Sequence, residues 1–569
     1  MNENYSEKIL IVSLLTLLIK YIFFYIFIYL SGKSLFIIYE FVTKLKAPEK
    51  ILFTNKTTLY PVIGLFTIGN LLIIFNFIIP LENIFIYVLL FCFNIPAILK
   101  SNIKLKINLR NLIKYLVLPT ILVISTYDTS FNYDAGYYHI YHQAWLRESN
   151  LILGFVNIFW PLGMSSIYEY ISSILWFDTS FVLLHFLNLI FIHFFYNFIF
   201  ENIVNNEFRD LKVASIFLLI YSFIDNFGIG GGRNGFIYIQ GVGKQDVAVG
   251  ILFFYISIVL IKAIKDRNFS NIDMFFVSLL ILFLYEIKLS SVIIVLIYLW
   301  YLASTYISGT YDFKSIVLSN TFAISIFLIW TLKSFLTTSC LIFPVAVTCF
   351  ENISWYVAGS TEAYEGITKL ASSSYDLSVS FIQWVRETGS FEYRRQVFLN
   401  FVFSFLFFVI FKIIFFRDKK LNTHNKKIIF ICLAFIFINI AYLLFYGPIP
   451  RYAVGLCLLI ISLIGFFSKD IFKKSSVLIT SLFVILSIFF VVRSVSYIAF
   501  FNNDDFRLFD PRTNNEIYID IGFSQFNDNW VIPSDGDQCW ANIGCSMAKA
   551  DILINDGFFK TAYRITNSS

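Results

Sequence analysis

The chain has 569 residues, of which 58% are hydrophobic and 14% charged, and its formal net charge is +6. Soluble domains carry nearer a quarter charged residues. The composition therefore excludes a disordered chain, a soluble enzyme and a nucleic-acid binder.

A helix needs about 20 apolar residues to cross a bilayer. In chain order the sequence predicts spans near 9–31, 59–80, 83–99, 112–128, 180–200, 211–227, 246–264, 272–286, 290–305, 315–333, 398–416, 428–446, 452–467 and 476–496, about fourteen in all. The 272–305 stretch also reads as one long broken helix, because its halves are short. The first stretch follows MNENYSEK, which lacks a basic leader and a small-residue cleavage site, so it reads as a retained span.

Lys and Arg in short loops set the orientation. The basic loops at 32–58, 100–114, 262–267, 417–427 and 469–474 fall on one side if both termini lie outside. Polar segments 128–179, 334–397 and 497–569 then face outward, with the glycine-rich loop 228–245. This parity requires that the apolar stretch Pro161–Phe177 does not span. It is expected to lie along the outer surface or to dip in and return.

Cys92, Cys432 and Cys457 fall inside spans, whereas Cys340, Cys349, Cys539 and Cys545 fall in outward segments. An oxidising compartment allows two disulfides among those four. The short pairings Cys340–Cys349 and Cys539–Cys545 are preferred, although connectivity does not follow from sequence.

The first outward segment gathers Asp128, Asp134, His139, His142, Arg147 and Glu148 at the membrane face. Ionisable groups there are costly unless solvated or used. Asp134 precedes Ala-Gly, read as a flexible turn that presents a carboxylate able to act as general base. His139 and His142, spaced i and i+3, would share a helix face. With an Asp they also form a conceivable metal site, and Asp134, Asp128 and His139 are the groups that could ligate a divalent cation. No cofactor is demanded.

The loop 228–245 contains Gly230, Gly232 and Gly235 in a GxGxxG spacing, but no βαβ context supports a dinucleotide. Gly243-Lys244 resembles the end of a P-loop, yet Tyr238 and Gln245 stand where that motif needs Gly and Ser/Thr. The loop reads as mobile backbone that approaches a ligand. Asp246 opens the next helix, where the dipole favours its charge. Glu286 and Lys288 read either as a snorkelling pair at a hairpin turn or as part of a site. Arg451, stiffened by Gly-Pro-Ile-Pro, can fork onto phosphate. Lys244, Lys288 and Arg451 together suit a lipid phosphate.

Four places carry a family resemblance. They are Tyr133-Asp134-Ala135-Gly136-Tyr137-Tyr138-His139, followed by Trp145, Gly154, Asn157 and Leu162-Gly163; Lys288-Leu289-Ser290; Cys340-Leu341-Ile342-Phe343-Pro344, followed by Trp355 and Trp384-Val385-Arg386; and Pro450-Arg451-Tyr452, followed by Gly536-Asp537-Gln538-Cys539-Trp540 and Cys545. In these the chain resembles the GT-C superfamily of membrane glycosyltransferases, within a poorly characterised bacterial branch. The likeness runs from about residue 127 to 559, and residues 1–110 match nothing in it.

The resemblance implies an inverting transferase that draws a sugar from a polyprenyl-phosphate carrier at the outer face of a bacterial inner membrane. The acceptor would be a cell-surface glycan or a lipid-linked oligosaccharide. Asp134 would be the base, and His139 would orient it or touch a sugar hydroxyl. Tyr138 and His142 would line the substrate. Lys288, Arg451 and then Lys244, near Asp246, would hold the lipid phosphate. Ala135 stands where the family pattern has Thr, and the usual adjacent second acid is missing.

The expected fold class is an all-α polytopic membrane protein with a small C-terminal cap. Its expected divisions are 1–111 (N-terminal helices), 112–335 (catalytic core), 336–397 (outward loop), 398–496 (C-terminal helices) and 497–569 (cap). Rival readings are an O-antigen polymerase or ligase and a lipid-oligosaccharide flippase. A flippase would place charges at mid-membrane and show repeated halves.

Overall fold

The computed structural model describes residues 3–100, 109–124, 131–176, 181–204, 207–224, 243–266, 269–371, 375, 379–380, 382–384, 392–415, 423–466, 522–527, 529–534, 536–547 and 552–564. The predicted span 476–496, Asp128, Arg386 and the glycine-rich loop before Gly243 lie outside these residues.

The chain is mostly helical. The long helices are α1 (Glu3–Thr43), α2 (Lys56–Asn76), α3 (Ile84–Leu99), α4 (Leu109–Leu112) continuing through a π turn (Ile113–Val117) into α5 (Leu118–Ile124), α8 (His185–Val204), α9 (Arg209–Ile224), α10 (Asp246–Asp266), α11 (Asn271–Ile287), α12 (Ile294–Ile307), α13 (Phe313–Thr338), α15 (Glu392–Phe415), α16 (Thr423–Tyr446) and α17 (Val454–Phe466). They occupy every described segment that the hydropathy pattern marked. Eight of the described helical stretches are long and apolar enough to cross a membrane unaided. Shorter helices α6 (Ile140–Glu148), α7 (Ile167–Ser173) and α14 (Ser360–Ala371) lie between them.

α1 runs past the predicted end at residue 31, because no proline breaks it before Pro48 and Gly32 is needed inside it. There α1 crosses α2, and a Cβ at Gly32 or Gly64 would overlap the carbonyl oxygen of Tyr60 or Ile28. Small residues at such crossings let two backbones touch, which gives close packing where no hydrophobic drive exists. The 272–305 stretch is a hairpin, not a broken helix. α12 doubles back beside α11, so that Tyr301 meets the Phe269 ring edge-on at 5.2 Å.

The described part of the Pro161–Phe177 stretch, 161–176, does not span. It forms a 3-10 turn (Trp160–Met164) and the seven-residue α7, too short to cross a bilayer. α7 is buried against α2 and α6, inside the protein and not along its surface.

α10 is the central helix. Its apolar window is 94% buried, against 28% for α13, α15 and α16, which turn Phe, Leu and Ile outward. α10 packs on α8, α11, α12 and α17.

The C-terminal residues add β-structure to the expected all-α fold. Two antiparallel hairpins, β3 (Phe523–Gln525) with β4 (Val531–Pro533) and β5 (Ile552–Asn555) with β6 (Thr561–Arg564), form the cap. A third, β1 (Lys50–Ile51) with β2 (Thr54–Asn55), precedes α2. Alternating side chains and edge pairing explain these short strands, which hydropathy aimed at helices does not register. Both preferred disulfides are present, Cys340–Cys349 and Cys539–Cys545.

Candidate functional site

The site is assembled around three consecutive residues at the start of the central helix. Lys244, Gln245 and Asp246 each send a side chain to a different partner. The Lys244 ammonium pairs with the Asp134 carboxylate. Gln245 Nε2 donates to Glu169 Oε1 at 3.1 Å. Asp246, with its side chain only 2% exposed, accepts Lys288 Nζ on Oδ1 at 2.5 Å and forms an ion pair with Arg451, whose Nε lies 2.9 Å from Oδ2.

Each position has a local cause. Asp246 is the first residue of α10, where the helix dipole favours a carboxylate. Lys288 ends α11 with extended backbone, which turns its side chain away from the α11 interior. Arg451 sits in a 3-10 turn opened by Pro450, between α16 and α17. Its neighbour Tyr452 offers a ring face 4.1 Å from Lys288 Nζ. Four distant stretches of chain thus meet at one end of the bundle. Burial works to lower the Lys288 pKa, but the Asp246 carboxylate and Tyr452 outweigh it and hold the ammonium above its ordinary value.

Asp134 begins a helical segment at its predicted place, but not in a flexible turn. Ala135–His139 is a π turn that runs directly into α6. Gly136 serves close packing: a Cβ there would overlap the Trp540 indole, and Trp540 N donates to Gly136 O at 3.0 Å. The cap therefore docks on the acidic motif. Gln538 Nε2 donates to Tyr133 O at 2.9 Å, the Tyr133 hydroxyl meets Asp537, and Tyr141 donates to Cys545 O at 2.6 Å.

His139 does not orient Asp134 through Nδ1, which lies 2.5 Å from Glu169 Oε1. Glu169 is also held by Gln143 Nε2 at 2.8 Å. Glu169 is the residue that the sequence reading missed. Its signal was a lone carboxylate inside the apolar stretch Pro161–Phe177.

His142 turns the other way, 3.4 Å from Ser165 Oγ, and burial, Lys333 and His139 keep its pKa well below the ordinary value. No group of three or more His, Cys, Asp or Glu among the described residues is placed to hold a metal ion. Tyr138 stands at the centre. Its hydroxyl is held well above its usual pKa by burial and by the charges of Asp134, Glu169 and Asp246 and the Tyr452 ring.

Glu286 is not paired with Lys288. It faces the interior, where Asn70 Nδ2 donates to Oε2 at 3.0 Å. At the opposite end of the bundle lie other pairs, Lys114–Glu201 and Lys262–Asp210. An apolar cavity of about 1000 Å³ between α15, α16 and α17 has Lys412 as its single charged lining residue and is no part of the cluster.

The fold and the cluster define a polytopic helical membrane protein with a charged site at one end of its bundle. The chain belongs to the family described as domain of unknown function DUF8201, whose model matches residues 14–458 and so covers Asp134, Lys244, Asp246, Lys288 and Arg451. No curated protein and no solved structure matches it.

Proposed function

We propose that this protein is a GT-C type glycosyltransferase that moves a hexosyl or pentosyl group from a polyprenyl-phosphate donor to a glycan or lipid-linked acceptor at the outer face of a bacterial inner membrane. The observation that carries the reading is the convergence of Asp134–Lys244 with Asp246–Lys288–Arg451 around Tyr138, beneath the disulfide-tied cap. Three cations and two carboxylates leave one positive charge in the cluster, which suits an anionic leaving group.

In this reading the donor phosphate draws Lys244 away from Asp134. The freed carboxylate takes the proton of the acceptor hydroxyl. The acceptor oxygen bonds to the anomeric carbon as the bond from that carbon to the phosphate oxygen breaks. The lipid phosphate leaves with the bonding pair. Lys288 and Arg451, held by Asp246, stabilise its charge. His139, fixed by Glu169, faces a sugar hydroxyl. No step requires a metal, and a divalent cation near Asp134 remains compatible with the chemistry.

Charge depth favours an enzyme over a flippase. The described buried Lys, Asp and Glu residues of the long helices, Lys114, Glu201, Asp246, Lys262, Glu286 and Lys333, lie within about two turns of a helix end, not at mid-membrane.

The test is a matched pair, wild type and Asp134→Asn, at equal membrane levels in a host lacking the native gene. Surface glycans are compared by mass spectrometry. Wild type is expected to add a defined sugar mass that Asp134→Asn abolishes. Full activity in Asp134→Asn would remove Asp134 as the base and move the polymerase, ligase or flippase readings ahead.

A further inference from the structure

A cavity of about 660 Å³ opens at the end of the bundle opposite the cluster. Its charged lining is Lys46, Glu49, Lys56, Arg110, Lys114 and Glu201. α2 measures the separation. Its first residue, Lys56, lines this cavity, while its last, Asn76, donates to Ser149 O at 3.0 Å beside the cap. A 21-residue helix is about 30 Å long.

Four cations against two carboxylates leave an excess of two positive charges. Glu201 is already occupied. Its Oε1 takes the Lys114 ammonium, and Thr58 Oγ1 donates to the same oxygen at 2.6 Å. Lys114, 4% exposed, is held from behind as well. It lies in the π turn, and its carbonyl meets His193 Nε2 at 2.8 Å, with the Tyr21 hydroxyl 3.0 Å from Nδ1 of the same ring. Single π turns inside α-helices occur frequently at functional sites. Lys114, within this π turn, is part of the cavity wall. Asn55 gives α2 no side-chain cap, and its first turn holds no acid of its own, so the positive end of the helix dipole adds to the excess of cations.

The same short helix carries a second stripe. Leu109, Leu112 and Leu116 are 73%, 42% and 44% exposed, next to the cavity-lining Arg110, Asn111, Lys114 and Tyr115. A cationic pocket bordered by outward leucines matches a molecule with an anionic head and apolar chains. The volume lies within the usual range of ligand sites, about 300–1000 Å³.

We propose that this cavity binds the phosphate-bearing headgroup of an anionic phospholipid, with its acyl chains against Leu109, Leu112 and Leu116. The site is independent of the sugar-transfer reading and stands or falls without it.

The full chain is reconstituted in phosphatidylcholine nanodiscs containing a minor fraction of phosphatidylglycerol, and retained lipid is read by native mass spectrometry. Wild type is expected to retain phosphatidylglycerol preferentially. Lys46→Gln/Arg110→Gln is expected to lose at least about tenfold in that preference, as the removal of two interfacial cations implies. Lys56→Gln, which removes a single lining cation, gives a smaller loss and serves if the double variant fails to fold. Inorganic phosphate is the second probe. If it raises the Tm of wild type and not of the variants, while no lipid is preferred, the phosphate recognition stands and its source is a soluble compound. Equal phosphatidylglycerol retention by wild type and variants, or no response to either probe, overturns the proposal.

Discussion

Gln245 donates to Glu169 at 3.1 Å, and this bond joins the two halves of the site. Gln245 stands between Lys244 and Asp246, immediately before the central helix. Glu169 belongs to the short buried α7, which also fixes His139 and Gln143. The backbone of Lys244–Asp246 and the helix carrying Asp134 are thereby held in one register.

Glu169→Gln removes the charge that three side chains share. A buried carboxylate that accepts several hydrogen bonds is worth more than its neutral isostere, and the new amide turns a donor toward donors. The expected loss of stability is about 2–4 kcal/mol. It is read as a lower Tm in detergent, with Gln143→Ala giving less. An unchanged Tm would show that Glu169 is not the anchor of this register.

Asp246→Asn leaves Lys288 and Arg451 facing each other without their shared anion. Their side chains are 27% and 31% exposed, so water relieves part of the repulsion. The loss is expected to be about 1–3 kcal/mol, below that of a fully buried broken pair. Lys288→Met or Arg451→Met alone should each cost less, because Asp246 then keeps one cation. The order Asp246→Asn worse than either single cation variant is the outcome to check by thermal denaturation. A cation variant that proves worse would place the centre of the cluster elsewhere.

Much of this was legible in the chain before its fold. Runs such as Asp246–Asp266 are apolar on every face, so their helical nature and burial follow from composition. Asp134, Lys244, Asp246, Lys288 and Arg451 announced themselves as charges at the edges of such runs, where an unused charge is costly. Their pairing was not legible. Lys288 reads as the partner of Glu286 two residues away, yet it finds Asp246, while Glu286 turns inward to Asn70. A change of backbone angle at one residue, the extended Lys288, decides between them, and no periodicity encodes it. Glu169 was hidden for another reason: the apolar stretch around it was expected along the outer surface or dipping into the membrane, whereas it is protein interior. Gly136 likewise read as flexibility, although its function is to leave room for an indole from a segment some four hundred residues later.

The cysteine states give a direct chemical check. Cys92, Cys432 and Cys457 are free, and the other four form two disulfides. Alkylation of denatured, unreduced protein should therefore add three adducts, and prior reduction should raise this to seven. Peptide mapping should find Cys340 joined to Cys349 and Cys539 to Cys545. Seven adducts without reductant would mean that the cap is not covalently tied in the purified protein.

His142 makes stability depend on pH in a defined direction. Burial chiefly, then the charges of Lys333 and His139, depress its pKa in the folded chain below the ordinary 6.5. Above pH 6.5 the imidazole is neutral in both states and contributes no slope. As the pH falls below 6.5 the unfolded chain binds a proton that the folded chain refuses, so stability declines until the folded pKa is reached. One such group contributes at most about 1.4 kcal/mol per pH unit. Wild type should therefore lose Tm between pH 7 and pH 5.5. His142→Gln, which keeps a polar group near Ser165 but does not titrate, should show a shallower decline over the same interval. Parallel curves for the two proteins would mean that His142 accepts its proton without unfolding, and that its pocket is wetter than its 2% exposure indicates.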